Sequence, residues 1–236
     1  MFVFNEKYRW SESSRGKTMQ SIWEKTVEMP KFEHLRQDVK TDVLVIGGGM
    51  AGILCAWKLK QDGVDCILVE AERIGSGITQ NTTAKITSEH GAIFDTMLKR
   101  FGIEKTKKYL EANEVAIEQY RCLCNKIDCD FESKNAFVYS IDNRAKIEKE
   151  VAALEKVGFP VRFSENLPLP FPTVGAIEFR NQAQFHPLRF LSEIAKELKI
   201  FEKNKGAGID WKHCCDGLRK NLCSKNHCSN SLSVSQ

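Results

Sequence analysis

The sequence predicts an α/β fold, and three observations predict it. Residues 41–46 (T-D-V-L-V-I) form an apolar run with the pattern of a buried strand. The glycine-rich stretch G-G-G-M-A-G at 47–52 opens a helical pattern over residues 50–61. Residues 66–69 (C-I-L-V) form a second apolar run that ends in Glu70. Strand, helix and strand within about 30 residues make a βαβ unit. Parallel strands of such a unit are buried on both faces, so they read as unbroken apolar runs.

The other elements follow in chain order. Residues 21–35 carry scattered apolar side chains broken by Pro30, which predicts a short helix and an arm. The helix at 50–61 stops near Gly63, a residue suited to a helix end. Residues 71–88 are rich in Gly, Ser, Thr and Asn and read as a loop. Helices are expected at 92–101 and 104–127, the second from the spacing of Tyr109, Leu110, Ala116, Ile117, Tyr120 and Leu123. Residues 136–140 (A-F-V-Y-S) read as a strand and 143–156 as a helix. The stretch L-P-L-P-F-P at 167–172 must be extended, because each proline fixes its own φ and restricts its predecessor. Residues 174–180 alternate like a strand, and 187–198 read as a helix with proline in its first turn.

The chemistry lies in V-L-V-I-G-G-G-M-A-G at 43–52, where Gly47, Gly49 and Gly52 fill G-x-G-x-x-G. Gly47 permits the tight turn out of the strand, Gly49 lets backbone approach a pyrophosphate, and Gly52 lets the helix pack closely. The helix N-terminus offers free N–H groups and the positive end of a dipole to phosphate. Glu70 lies 23 residues after Gly47, where a carboxylate accepts hydrogen bonds from ribose hydroxyls. It would also repel a 2′-phosphate. These residues predict a Rossmann-like dinucleotide site and do not choose between FAD and NAD.

Three stretches carry a family resemblance. They are T-D-V-L-V-I-G-G-G-M-A-G-I-L-C-A-W with L-V-E-A-E-R, then I-G-S-G-I-T-Q-N-T-T-A-K-I-T at 74–87, then F-R-N-Q-A-Q-F-H-P-L-R-F-L at 179–191. From about residue 19 to 203 the chain resembles FAD-dependent oxidoreductases of the D-amino acid oxidase and glycine oxidase (DAO) group. It looks closest to a bacterial branch in which a C-terminal Rieske domain can follow the flavin domain. The resemblance implies a Rossmann-like FAD-binding domain with part of an α+β substrate domain, FAD as cofactor, and oxidation of an amine or amino-acid-like small molecule by hydride transfer to flavin. It implies that Glu70 holds the adenosine ribose, with Ala71 beside it and Arg73 on the adenine side. Ser76, Gly77 and Thr79 would lie in the loop approaching pyrophosphate and flavin. Lys85 and His90 are weighed as groups beside the flavin and judged structural. No catalytic base can be nominated, and the electron acceptor stays open. On the residues alone, an NAD-binding dehydrogenase and a non-catalytic dinucleotide-binding or metal-binding module remain alternatives.

Composition bounds these readings. The 236 residues suffice for one large domain or two small ones, with 42% hydrophobic and 28% charged residues. The net charge of +4 comes from the two ends, and residues 19–204 sum to −1, which argues against a nucleic-acid partner. No signal peptide or membrane span is read, so a cytoplasmic location is expected. The expected organisation is an arm at 1–40, an oxidoreductase portion at 41–204 (dinucleotide unit and loop at 41–90, helical and partial substrate-domain segments at 91–204), and an aberrant, disordered tail at 205–236. The tail holds His213, Cys214, Cys215, Cys223, His227 and Cys228 at spacings that fit no zinc or Rieske pattern, so no metal is expected. Its His, Cys, Asn and Asp codons end in a pyrimidine, which one base later becomes the middle base of an Ile, Val, Thr or Ala codon. Residues 225–230 can thus hide K-I-I-V-A-T, and residues 206–216 V-R-E-L-I-G-N-T-A-V-T. A frameshift near Lys205 is expected, and DNA sequence beyond codon 204 tests it. Residues 1–18 are read as an over-extended start, because Arg15-Gly16-Lys17 can encode a ribosome-binding sequence before Met19.

Overall fold

The computed structural model describes residues 21–165 and 167–204, with the backbone of two short strands further on. The elements run α1 (Ile22–Lys25), β1 (Val39–Thr41), β2 (Val43–Ile46), α2 (Met50–Gln61), β3 (Cys66–Val69), a 3₁₀ turn (Ile78–Asn81), β4 (Lys85–Ile86) and α3 (Phe94–Cys124). They continue β5 (Glu132–Ser140), α4 (Arg144–Lys156), β6 (Arg162–Ser164), β7 (Gly175–Gln184), α5 (Pro187–Ala195), β8 (Ile200–Phe201), β9 (Gly208–Ile209) and β10 (Leu232–Ser235). The sequence expectations at 1–20 lie outside the described residues, as do those for the tail apart from β9 and β10. The described residues divide into two compact units, one within 84–186 and the other made of 21–83 with 187–204 and the strands β9 and β10.

The discontinuous unit contains the βαβ element, with α2 and β3 at the predicted bounds. Strands β2, β3 and β8 form a parallel sheet with β3 in the middle. As the central strand β3 is buried on both faces, which is why Ile67, Leu68 and Val69 are all apolar. Ile67 and Val69 pack with Leu35 of the arm and with Leu44 and Phe201. The run at 41–46 is two strands. Thr41 ends β1, and its Oγ1 donates within reach of the Val43 and Asp65 carbonyls (3.2 and 3.1 Å). The chain then changes partners, because β1 pairs antiparallel with β10 while β2 pairs parallel with β3. Helix α5 begins at Pro187 and buries Leu188, Phe190, Leu191, Ile194 and Ala195 against α2, the 3₁₀ turn and α1.

Residues 187–204, expected among the substrate-domain segments, lie in the unit that holds the βαβ element, because β8 extends its parallel sheet. The loop expected at 71–88 also contains structure, namely the 3₁₀ turn and β4.

The unit at 84–186 is α+β. β7 is the middle strand, paired antiparallel with β5 along one edge and with β4 and β6 along the other. Phe94, Leu110, Ile147, Leu154, Ile177 and Phe179 form the centre of its core under α3 and α4. α3 is two helical segments, as expected, broken at Gly102 with φ 76° and ψ 175°. β7 runs past the predicted end at residue 180 because a bulge there keeps the pairing with β5 going. Three steps along β7 (Gln182 to Phe179) oppose two along β5 (Lys134 to Ala136), and Asn181 takes φ 58°. Among the described residues no helix is long and apolar enough to cross a membrane.

Candidate dinucleotide-binding site

Strand β2 delivers its chain into a turn at Gly47, whose φ of 102° is a conformation that L side chains rarely adopt. The turn is held by Gly47 N–H donating to the Val69 carbonyl at 2.9 Å, so it is tied to the end of β3. At Gly52 the reason for glycine is space. A Cβ there would lie 1.9 Å from the Gly47 carbonyl oxygen. The first turn of α2 therefore rests on the backbone of the loop that precedes it.

Gly49 caps α2 with extended backbone and no side-chain hydrogen bond. A Cβ on it would meet only Thr79 Oγ1, at 3.5 Å, so the space beside the helix start is open. Thr79 is buried, and its Oγ1 accepts from the Met50 N–H at 3.1 Å. The end of a 12-residue helix is thus open to an anion, with a hydroxyl beside it.

The loop after β3 clamps the glycine turn from the other side. Glu70 Oε2 accepts from Gly48 N–H at 2.6 Å, and Gly75 N–H donates to the Gly48 carbonyl at 2.9 Å. The other Glu70 oxygen accepts from Glu72 N–H at 2.8 Å. A carboxylate has about four acceptor positions. Two are used here, and the rest fit a pair of ribose hydroxyls. Sequence reasoning passed over Gly48, yet a Cβ there would come within 2.7 Å of Ile74 Cγ2. The unbroken G-G-G triplet was the available signal.

The remaining expected residues are placed as follows. Ala71 is exposed next to Glu70. Arg73 turns to the arm, its Nη2 donating to the Pro30 carbonyl at 3.0 Å and its Nε lying 3.7 Å from Glu202 Oε2. Ser76 closes a turn by donating from its hydroxyl to the Arg73 carbonyl at 2.7 Å. Gly77 is exposed, with open space where a Cβ would stand. Gly75 has φ 72°, and Leu188 and Leu191 of α5 pack where its Cβ would be, so α5 backs this loop.

Lys85 and His90 sit in the other unit. Lys85 Nζ is 3.7 Å from Glu89 Oε1, and a ring nitrogen of His90 is 3.4 Å from Asn113 Oδ1. Both have local structural partners. Among the described residues no group of His, Cys, Asp or Glu is arranged to hold a metal ion. The cysteine-rich tail lies outside those residues.

A glycine turn held by β3, an open helix start and a carboxylate with spare acceptors fit a dinucleotide, and comparisons with known proteins identify the kind. Residues 42–220 match the profile of the FAD dependent oxidoreductases (DAO). YhfW of Bacillus subtilis (strain 168), named as a Rieske 2Fe-2S iron-sulfur protein, is 34% identical over 199 residues, which is 80% of this chain and 39% of that one. Gamma-glutamylputrescine oxidoreductase of Escherichia coli (strain K12) is 28% identical over 129 residues, 53% of this chain and 28% of that one. An L-amino acid deaminase from Proteus vulgaris shares the fold with a TM-score of 0.57 at 17% identity, over 78% of this chain and 49% of that one. The chain spans less than half the length of these proteins. With the family profile covering most of its length, the chain belongs to the FAD dependent oxidoreductase family.

Proposed function

We propose that the discontinuous unit binds the adenosine and pyrophosphate portion of FAD, in the service of oxidising an amine or amino-acid-like small molecule. The observation that carries this reading is the Glu70 carboxylate, fixed by Gly48 N–H and Glu72 N–H at the start of α2. In this reading Glu70 receives the ribose hydroxyls. Gly47, Gly49 and Gly52 give the pyrophosphate its approach to the backbone. Thr79, Ser76 and Gly77 shape the loop beside it, and Ala71 and Arg73 lie on the adenosine side. FAD, when bound, supplies the hydride-accepting chemistry. The amine class is supported by the name of the E. coli relative, gamma-glutamylputrescine oxidoreductase. The α+β unit at 84–186 is proposed as part of the substrate domain.

Titration of the purified chain with FAD, followed by the flavin band near ~450 nm and by flavin fluorescence, tests the proposal. Saturable binding is expected, and Glu70→Ala is expected to weaken it about tenfold or more by removing charge-assisted acceptors. A folded chain that binds NAD but not FAD would refute the cofactor assignment. Wild-type FAD affinity in Glu70→Ala would refute the role of Glu70.

A further inference from the structure

Glu202 is a carboxylate buried to 2% exposure immediately after β8, and no sequence motif marked it. One oxygen, Oε1, accepts from Ile74 N–H at 2.8 Å. The other accepts from Phe32 N–H at 3.2 Å and lies 3.7 Å from Arg73 Nε. Arg73 in turn donates to the Met29 and Pro30 carbonyls at 3.4 and 3.0 Å. The backbone repeats the pattern. Glu202 N–H donates to the Glu33 carbonyl, Lys203 N–H to Glu72 and Asn204 N–H to Glu70, all at 2.9–3.0 Å. Asn204 Oδ1 accepts from Leu35 N–H at 3.1 Å. Residues 202–204 are therefore a wedge joining the arm at 29–35 to the loop that carries Glu70.

A carboxyl group is not buried without hydrogen bonds that offset its desolvation. The hydrogen bonds here go to the peptide that begins the turn Ile74-Gly75, and Gly75 N–H holds Gly48. We propose that Glu202 is a positioning residue for nucleotide binding, acting through Ile74 and Arg73 to set the loop that fixes the glycine turn, and that it makes the arm at 29–35 part of the binding unit. The nucleotide part of this proposal rests on the dinucleotide reading above. The loop-holding part does not.

The test uses the full chain, Glu202→Gln and Arg73→Met. Glu202→Gln keeps the shape but turns an amide donor toward Phe32 N–H or Ile74 N–H, so one backbone donor loses its acceptor. Arg73→Met keeps both backbone bonds to Glu202 and removes the cation together with its bonds to the Met29 and Pro30 carbonyls. Two readouts are taken, ADP affinity by calorimetry and amide hydrogen exchange without ligand. Exchange at residues 70–79 is expected to rise about tenfold in Glu202→Gln, with the amides of β5 and β7 unchanged. ADP affinity is expected to fall about tenfold, and Arg73→Met to show a smaller change in the same direction. Wild-type exchange at 70–79 in Glu202→Gln would overturn the proposal. So would faster exchange spread equally over both units, which marks a purely structural role. Faster local exchange with unchanged ADP affinity would overturn the nucleotide role. If the wild-type chain binds neither ADP nor FAD, the dinucleotide reading and the nucleotide role fall together, while the exchange pattern still decides whether Glu202 holds the loop.

Discussion

Adding one methyl group at Gly52 tests the close approach on which the site is built. In Gly52→Ala the new Cβ starts 1.9 Å from the Gly47 carbonyl oxygen and 3.1 Å from its carbon. Reaching an ordinary contact of 3.4 Å or more requires a displacement of about 1.5 Å. The movement must come from backbone, because the obstructing atom is a carbonyl that cannot rotate aside. Either α2 lifts off the sheet, or the Gly47 turn breaks its 2.9 Å bond to Val69. Over-packing of this kind costs about 3 kcal/mol, and a thermal midpoint about 10 °C lower is expected. The helix start moves with it. Losing about two charge-assisted bonds to phosphate weakens FAD binding about 100-fold or more. Gly49→Ala is the matched control, because its Cβ meets only Thr79 Oγ1 at an ordinary 3.5 Å. Its stability is expected to stay within about 1 kcal/mol of wild type, while its FAD affinity falls because the methyl stands where the pyrophosphate approaches. Melting by circular dichroism and flavin titration on both variants give the answer. A Gly52→Ala chain that melts and binds like wild type would refute the packing argument. A Gly49→Ala chain with full affinity would refute the placement of the pyrophosphate.

Two further expectations concern the α+β unit. Glu150 of α4 is buried, and its carboxylate accepts from Phe94 N–H and from Asp95 N–H (2.8 Å), capping α3, whose own cap residue Ile93 makes no side-chain bond. Burial pushes its carboxyl above the ordinary 4.5, against the pull of those two N–H groups. The folded chain then holds the proton to higher pH than the unfolded chain, so this group's contribution to stability falls as pH rises through that window. The melting midpoint of wild type minus that of Glu150→Gln should therefore decrease from about pH 4 upward, and an increase would contradict it. Tyr120, packed edge-on against Phe185 at 5.7 Å, has its phenol pushed up to about 12, mainly by burial and secondarily by Cys124. The unfolded chain releases this proton first, so alkali above about pH 10 costs the folded state about 2–3 kcal/mol. Tyr120→Phe should move the alkaline unfolding edge to higher pH, and an unmoved edge would count against the buried phenol.

The parts legible in the sequence were those set by local pattern. Unbroken apolar runs marked β2 and β3, a glycine triplet marked the start of α2, and helical spacing on either side of Gly102 marked the two segments of α3. What escaped was set by partners far along the chain. Glu202 reads as an ordinary charge after a strand, because its donors at Phe32 and Ile74 are more than 100 residues away. The polar end of β7, from Arg180 to Gln184, hides a strand because the bulge at Asn181 interrupts the alternation. Asp42 gives no sign that β1 and β2 take different partners. At the site, Gly47, Gly49, Gly52 and Glu70 could be assigned work from spacing alone. The orientation of Arg73 could not, since it depends on carbonyls of the arm.

The unit that carries the βαβ element is assembled from two separated stretches of chain, and this sets an order of events during synthesis. Residues 84–186 emerge from the ribosome together, and their sheet and helices can close on neighbours already made. The parallel sheet beginning at β2 and β3 must wait for β8, some 130 residues after β3. Until then the free edge of β3 and the apolar surface awaiting α5 stay open to pairing with other chains. The inserted unit is therefore expected to become protease-resistant first on stalled nascent chains, and the discontinuous unit only once residue 204 has cleared the exit tunnel.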